Sequence, residues 1–268
     1  PEWVADYYDE YGEKEWDRLL VKPADRINFI VHAHHLREHI QPGSRVLEIG
    51  AGPGRFTQVL AALNCRVVVG DISNIQLELH RKHSAEQHFN HCVEDRLKLD
   101  ICDLSVFASD AFDVVVCYGG PLSYVFEKAT TALRECVRVC TRGGKVLASV
   151  MSLWGSCHRD LEAVLQLPPS DNRKITATGD LIPEYLTEVK HRCHMFRSQE
   201  LKELAVDAGL QVVAMSAANY LSVAWDEQLS TIKDESEQWR ELVRMEIEAS
   251  SEPGCLDAGT HIILVGRK

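Results

Sequence analysis

The chain has 268 residues, 45% hydrophobic and 26% charged, enough for one large domain or for a core plus a small cap. A formal charge of −11 weighs against a general nucleic-acid binder and against a protein that seeks anionic membranes, because both need basic surface. No apolar run approaches the ~20 residues of a membrane span, and the acidic, aromatic start PEWVADYYDEYGEKEW lacks signal-peptide character.

The nine cysteines include no CxxC pair and lie mostly in apolar runs, as Cys65, Cys117, Cys136 and Cys140 do. Free thiols and a cytoplasmic location are expected. Residues 1–43 read as an N-terminal helical lid segment, with His32, His34 and His35 on a helix before the core. The core is expected over 44–268. RVLEIG is a first buried strand and FTQVLAALN the helix after it. RVVVGDIS is a second strand and NIQLELHRKHSAEQ a second helix, with His80, His83, His88 and His91 expected at the surface. RLKLDICDL is a short third strand, and FDVVVCYGG has the continuous apolar run of a central parallel strand. EKATTALRECVRVC has helical spacing and is expected to stop at Gly143–Gly144, before KVLASVM as a fifth strand.

This alternation predicts a doubly wound α/β fold, a mainly parallel sheet with helices on both faces. In such sheets a ligand binds beyond the carboxyl ends of the strands, where the Gly50–Gly54 loop sits. After Met151 the rhythm breaks, and a cap insertion is expected at about 152–197. SQELKELAVDAG restores a helix, capped by Ser198 and ended by Gly209. LQVVAMSA is a sixth strand, a long helical excursion follows at about 225–250, and THIILVGRK returns as a last strand in a reversed hairpin at the sheet edge.

The loop in RVLEIGAGPGRFT decides the ligand. A dinucleotide fingerprint GxGxxG needs a late glycine where this chain has Arg55, and Pro53 removes one N–H donor for phosphate. No GK[ST] follows, so it is not a P-loop. Glycines at Gly50 and Gly52 with an acid, Glu48, just before them suit a cationic ligand such as S-adenosylmethionine, whose methionine part can lie against bare backbone. Glu48 is read as a cofactor residue, against the alternative of a buried acid satisfied by local backbone. Asp71, with its neighbour Ile72, ends the second strand about twenty residues on, where an acid meets two ribose hydroxyls. Asp100 and the backbone of Ile101 stand where adenine would be read, with Asp103 as the alternative acid, and Tyr118 is placed beside the cofactor.

Together VLEIGAGPG, the acid in GDIS, the acid in LDICDL, FDVVVCYGG and RGGKVLASV resemble the class I S-adenosylmethionine-dependent methyltransferases. The resemblance covers most of the chain from about residue 44. GGPLSYV, SVMSLWG and HMFRSQELKELAVDAGL resemble, more narrowly, a methyltransferase type 11/12-like branch that acts on small molecules. It implies seven strands in the order 3-2-1-4-5-7-6, the seventh antiparallel, and a small-molecule acceptor methylated at O or N. The [DN]PP[YF] motif of amine and amide methylation is absent from CYGGPLSY, in agreement with the exclusion of nucleic acid.

The acceptor is expected between the lid, through Tyr8 and Tyr11, and Tyr124, Trp154 and His158. Tyr7 and Trp16 are further lid aromatics, and Arg18 and Arg26 are candidates for the methionine carboxylate. Any general base would be a histidine of the cap, His191 or His194. Their spacing around Cys193 would suit a metal pair, but no third and fourth ligand follows, so no metal is expected there. No membrane partner is expected, and the assembly is read as a monomer or homodimer. The alternative is a methyltransferase-like protein that binds the cofactor without transferring methyl, as a partner subunit or a rearrangement catalyst.

Overall fold

The apolar runs meet in one seven-stranded sheet in a computed structural model that describes residues 2–186 and 191–268. Strands β1 (Arg45–Ile49), β2 (Arg66–Asp71), β3 (Val93–Lys98), β4 (Phe112–Cys117) and β5 (Cys140–Met151) pair in parallel. A two-stranded hairpin, β6 (Asp180–Leu181) with β7 (Cys193–His194), stands apart from the sheet. β8 (Gln211–Ala217) and β9 (His261–Arg267) complete the sheet, with β9 antiparallel to both β5 and β8. The order β3-β2-β1-β4-β5-β9-β8 is the one the resemblance implied, β9 being the reversed strand.

Helices α1 (Glu2–Tyr11), α2 (Lys14–Arg18) and α3 (Pro23–His39) precede the sheet. α4 (Arg55–Ala62) follows β1, α5 (Asn74–Glu86) follows β2, and α6 (Pro121–Tyr124) and α7 (Ala129–Val139) lie between β4 and β5. Successive strand residues point to opposite faces, so the valine-rich central strands divide between two cores. Val46, Val67, Val69, Val114 and Val116 pack with α3, α4 and α5. Leu47, Val68, Val115 and Val146 pack on the other side with α7. Burial on both faces is what demands continuous apolar strands.

After β5 the chain forms α8 (Leu153–Arg159), α9 (Leu161–Gln166) and α10 (Pro169–Thr178) before the small hairpin. Residues 187–190 of the expected cap insertion lie outside the described residues. α11 (Ser198–Asp207) leads into β8, and α12 (Asp226–Leu229) and α13 (Glu237–Ser250) separate β8 from β9. Among the described residues no helix is long and apolar enough to cross a membrane. All nine cysteines are free, with Cys65, Cys117, Cys136 and Cys140 buried.

Four local expectations are corrected. Gly143–Gly144 does not stop a helix: α7 ends at Val139, and the pair lies in an irregular stretch of β5, where Phe112 faces Cys140 but Val114 faces Lys145. The 225–250 excursion is two helices, because Ser236 starts α13 afresh by accepting from the Trp239 N–H. Ser198 is inside α11, after Arg197 at the N-cap position, whose N–H donates to Glu200, and the Ser198 hydroxyl donates to Asp257 at 2.6 Å. His80 and His83 are buried, not superficial.

Candidate active site

The end of β1 and the start of α4 build the first half of the site. Gly50 turns the chain at φ +71°, and a Cβ there would stand 2.5 Å from Pro121 Cγ, so both conformation and space select glycine. The Gly52 N–H donates to one Asp71 oxygen at 2.8 Å and the Ser73 N–H to the other at 2.9 Å. The acid at the end of β2 is thereby locked to the loop. Burial lifts its carboxyl to about 6 against the pull of those two N–H donors. Asp71, Ile72, Asp100 and Ile101 face Tyr8 and Glu15 across a cavity of about 650 Å³, its mouth included.

Glu48 does not line that cavity. It lies beneath the loop, where its Oε2 accepts from Thr57 Oγ1 at 2.6 Å. Thr57 Oγ1 is 2.9 Å from His80 Nε2, and His80 Nδ1 accepts from Arg96 Nε at 3.0 Å. Because arginine can only donate, Nε2 carries the histidine proton and the chain runs from Arg96 through His80 and Thr57 to Glu48. Burial raises the Glu48 carboxyl to about 8 and lowers His80 to about 3.

A second cavity of about 1160 Å³ opens beside the first, sharing Tyr8, Glu15, Gly119 and Tyr124 with it. At the seam the Tyr8 hydroxyl lies 2.6 Å from the Tyr124 hydroxyl, which lies 2.9 Å from His191 Nε2. Burial raises both phenols above their ordinary pKa, so they are neutral. Burial, with Arg18 and Arg159 nearby, holds His191 down to about 4, so its imidazole is neutral as well. Only one assignment then serves a neutral histidine as acceptor: Tyr8 donates to Tyr124, and Tyr124 to Nε2. Arg18 reaches this cavity while forked onto Glu15 at 2.7 and 2.8 Å.

The comparisons point to methyltransferases. Residues 46–144 match the family model described as "Methyltransferase domain". A ubiquinone biosynthesis O-methyltransferase of Xanthomonas axonopodis is 28% identical over 132 residues, 49% of this chain, and the chain spans only 53% of that protein's length. One of Stutzerimonas stutzeri is 26% identical over 80% of this chain and 84% of its own. A solved S-adenosylmethionine-dependent methyltransferase of Thermotoga maritima, described as a possible histamine N-methyltransferase, matches 98% of this chain and 99% of its own. Its TM-score of 0.61 at 16% identity is a likeness of fold. Residues 46–144 thus match a methyltransferase domain, and the chain has the Rossmann-like methyltransferase fold.

S-adenosylmethionine is the cofactor that the domain match and the fold support, and the first cavity's residues fit it. Nothing lies within 4 Å of where a Cβ would stand on Gly119, at the end of β4, so backbone there is bare towards both cavities. The donor set matches a cofactor with cationic and hydroxyl groups: among the described residues, carboxylates at Asp71, Asp100 and Glu15, and no lysine or arginine, line the first cavity. In this loop, then, glycine makes room and acids supply the charge.

Not every residue singled out from sequence reaches the two cavities. Gly50, Gly52, Asp71, Ile72, Asp100 and Ile101 line the first cavity, and Tyr8, Tyr11, Tyr124 and His191 line the second. Tyr118 is corrected: its ring turns away from both cavities to pack on His32, 4.7 Å between centroids, and on Phe56. His194 is corrected too, because Asp180 and Glu200 occupy its two ring nitrogens at 2.7 Å each, away from the cavity. Trp154 and His158 sit on the outer side of α8, exposed, and line neither cavity. Arg26 is directed to Asp234 and the Trp239 ring instead of a cofactor carboxylate.

Sequence reasoning missed Glu15, which lines both cavities, and Gln76, whose amide donates to the Tyr8 and Gly12 carbonyls and holds the lid. It also missed His261, at the start of β9, on the wall of the second cavity. The acid and amide sit at ordinary helical positions, and the histidine looked like the edge of a strand. Only their distant partners mark them.

Proposed function

We propose that this methyltransferase methylates an oxygen or nitrogen of a small molecule held in the second cavity. The observation that carries the reading is the Tyr8–Tyr124–His191 chain, at 2.6 and 2.9 Å, on the seam where acceptor and cofactor would meet. Bound S-adenosylmethionine supplies an electrophilic methyl on a sulfonium. Asp71 would accept from the ribose hydroxyls, Asp100 and the Ile101 backbone would meet the adenine, and Glu15 would face the ammonium.

The rest of the task is alignment and exclusion of water. The lid and the cap helices close the second cavity over the strand ends. A hydroxyl or ammonium acceptor must lose a proton, and His191, neutral and already aimed at Tyr124, is the base that can take it. The relatives named as O-methyltransferases support oxygen as the acceptor atom.

The test is a screen of small phenols, alcohols, amines and carboxylates with S-adenosylmethionine, reading S-adenosylhomocysteine by mass spectrometry. Acceptor-dependent product that falls sharply in Tyr124→Phe supports the proposal. Tight cofactor binding with no turnover across every acceptor class would instead support the reading of a cofactor-binding protein that transfers no methyl.

A further inference from the structure

The last two turns of α3 carry a cluster that methyl transfer does not use. The run HAHHLREH, residues 32–39, spaces His35, Glu38 and His39 at i, i+3 and i+4, on one side of the helix. Each offers one ligand atom within 4.8 Å of the other two. His34 stands beside them, its Nε2 3.1 Å from Glu38 Oε2.

The two inner histidines are chemically incomplete. His35 is only 4% exposed, and its Nδ1 is buried with no hydrogen-bond partner among the described residues. The same holds for His39 Nε2. A buried polar group left unpaired costs about 1–3 kcal/mol, and here two such atoms lie within one turn. The carbonyl end of a helix also favours a cation. The nearby Lys145 ammonium is engaged with the His39 carbonyl at 2.8 Å.

We propose that His35, Glu38 and His39, with His34 as the fourth donor, bind one divalent transition-metal ion of the zinc, nickel or cobalt type. Imidazole and carboxylate together suit these borderline ions and not magnesium or calcium, which take oxygen ligands. Metal–ligand bonds of about 2.0–2.1 Å require ligand atoms about 3.3 Å apart in a tetrahedron. His35 is fixed by packing, whereas the Glu38 side chain is 55% exposed and can swing in, with His39 and His34 following.

The site is structural. It lies at the start of β1, whose five residues separate it from the glycine loop, a span of about 16 Å at ~3.3 Å per residue. A metal here cannot touch the reacting atoms. It would fix the end of the helix that joins the lid to the first strand.

The test uses the full chain without a polyhistidine tag. Zinc is titrated calorimetrically into metal-stripped protein, and cobalt(II) is followed by its visible spectrum. One equivalent should bind, with cobalt d–d bands and no thiolate-to-cobalt charge transfer, and zinc should raise Tm. His39→Ala and Glu38→Gln should each weaken zinc by at least about tenfold while leaving Tm in chelator unchanged. Absence of saturable binding at micromolar zinc, a thiolate charge-transfer band, or affinity unchanged in both variants would overturn the proposal.

Discussion

The Arg55 guanidinium lies 3.6 Å from the centre of the Trp16 ring, and its Nε donates to the Trp16 carbonyl at 2.6 Å. On its other side Trp16 stacks on His83, 4.0 Å between ring centres and 2° from parallel. The residue that stands where a dinucleotide loop has its late glycine therefore clamps the lid. A lid so held brings Tyr8 and Glu15 over the cofactor cavity. Arg55→Ala should weaken S-adenosylmethionine by about 5- to 30-fold, the equivalent of the 1–2 kcal/mol of a partly desolvated cation–π contact. Calorimetric titration reads it; an unchanged affinity would show that the lid does not contribute to cofactor binding.

Asp71→Asn keeps the shape of the side chain but not its charge. Loss of charged hydrogen bonds to ribose should cost about 1.5–3 kcal/mol, roughly 10- to 150-fold in affinity. The wild-type carboxyl titrates at about 6, and only its ionised form serves hydroxyl donors as a full acceptor. Wild-type affinity should fall as pH drops through 6, and the asparagine variant should lose that dependence.

Tyr124→Phe and His191→Gln both interrupt one chain of hydrogen bonds. Each should lower kcat by about 10²- to 10⁴-fold, the usual contribution of general acid–base catalysis, and the double variant should be little worse than either single one. His191 lines only the second cavity, so its variant should keep its affinity for the cofactor. Because His191 is held at about 4, kcat at saturating cofactor should show no histidine limb near pH 6.5. A limb there, or full activity in His191→Gln, would remove the histidine from the mechanism.

Glu48 makes the cofactor-free protein sensitive to alkali. Its folded pKa of about 8 stands above the ordinary 4.5, so the folded state holds the proton more tightly than the unfolded one. The stabilisation is complete below about pH 4.5 and is lost as pH rises through 8. Glu48→Gln keeps an acceptor for Thr57 and has no charge to bury. Its Tm should match wild type near pH 5 and exceed it above pH 8, by about 2–4 °C for each kcal/mol relieved. Parallel melting curves across that range would refute a buried titrating acid.

His194 gives the opposite kind of contribution, as an ion pair. Burial opposes its charge, but the hydrogen bonds to Glu200 and Asp180 prevail, and its pKa rises above 6.5. Burial likewise opposes the Glu200 charge, and His194 brings that pKa below 4.5. The histidine's contribution is complete below pH 6.5 and disappears as pH rises through the higher folded value; the glutamate's is complete above pH 4.5 and is lost on acidification. The pair should therefore stabilise most between those limits. His194→Gln should cost on the order of 1 kcal/mol at pH 5.5, since the pair is partly exposed, and less at pH 8.5, as denaturant melts would show.

Much of the fold was legible because its signals are local. Val67–Val69 and Val114–Val116 are strands because β-branched residues pack well on a sheet buried on both faces. Gly50 and Asp71 were readable for the same reason, since a loop after one strand and an acid after the next have fixed places in this topology. The misreadings were of residues whose role depends on a remote neighbour. His80 looked like a surface position on a polar helix, but it faces inward to Thr57 and Arg96. His191 and His194 are three apart and indistinguishable in sequence, yet one meets Tyr124 and the other two carboxylates.

The sequence by itself determined the doubly wound sheet, the kind of cofactor and most of the residues that line the first cavity, because strand periodicity, a glycine turn and an acid at a strand end act within a few residues of backbone. Only the tertiary structure decided which tyrosine, histidine and arginine line the second cavity. Tyr8 and Tyr124 are 116 residues apart, and Tyr124 and His191 are 67 apart. No local propensity encodes such contacts. They follow from burying the lid and the cap against the sheet, which places their polar groups at one seam and leaves each to find its partner there.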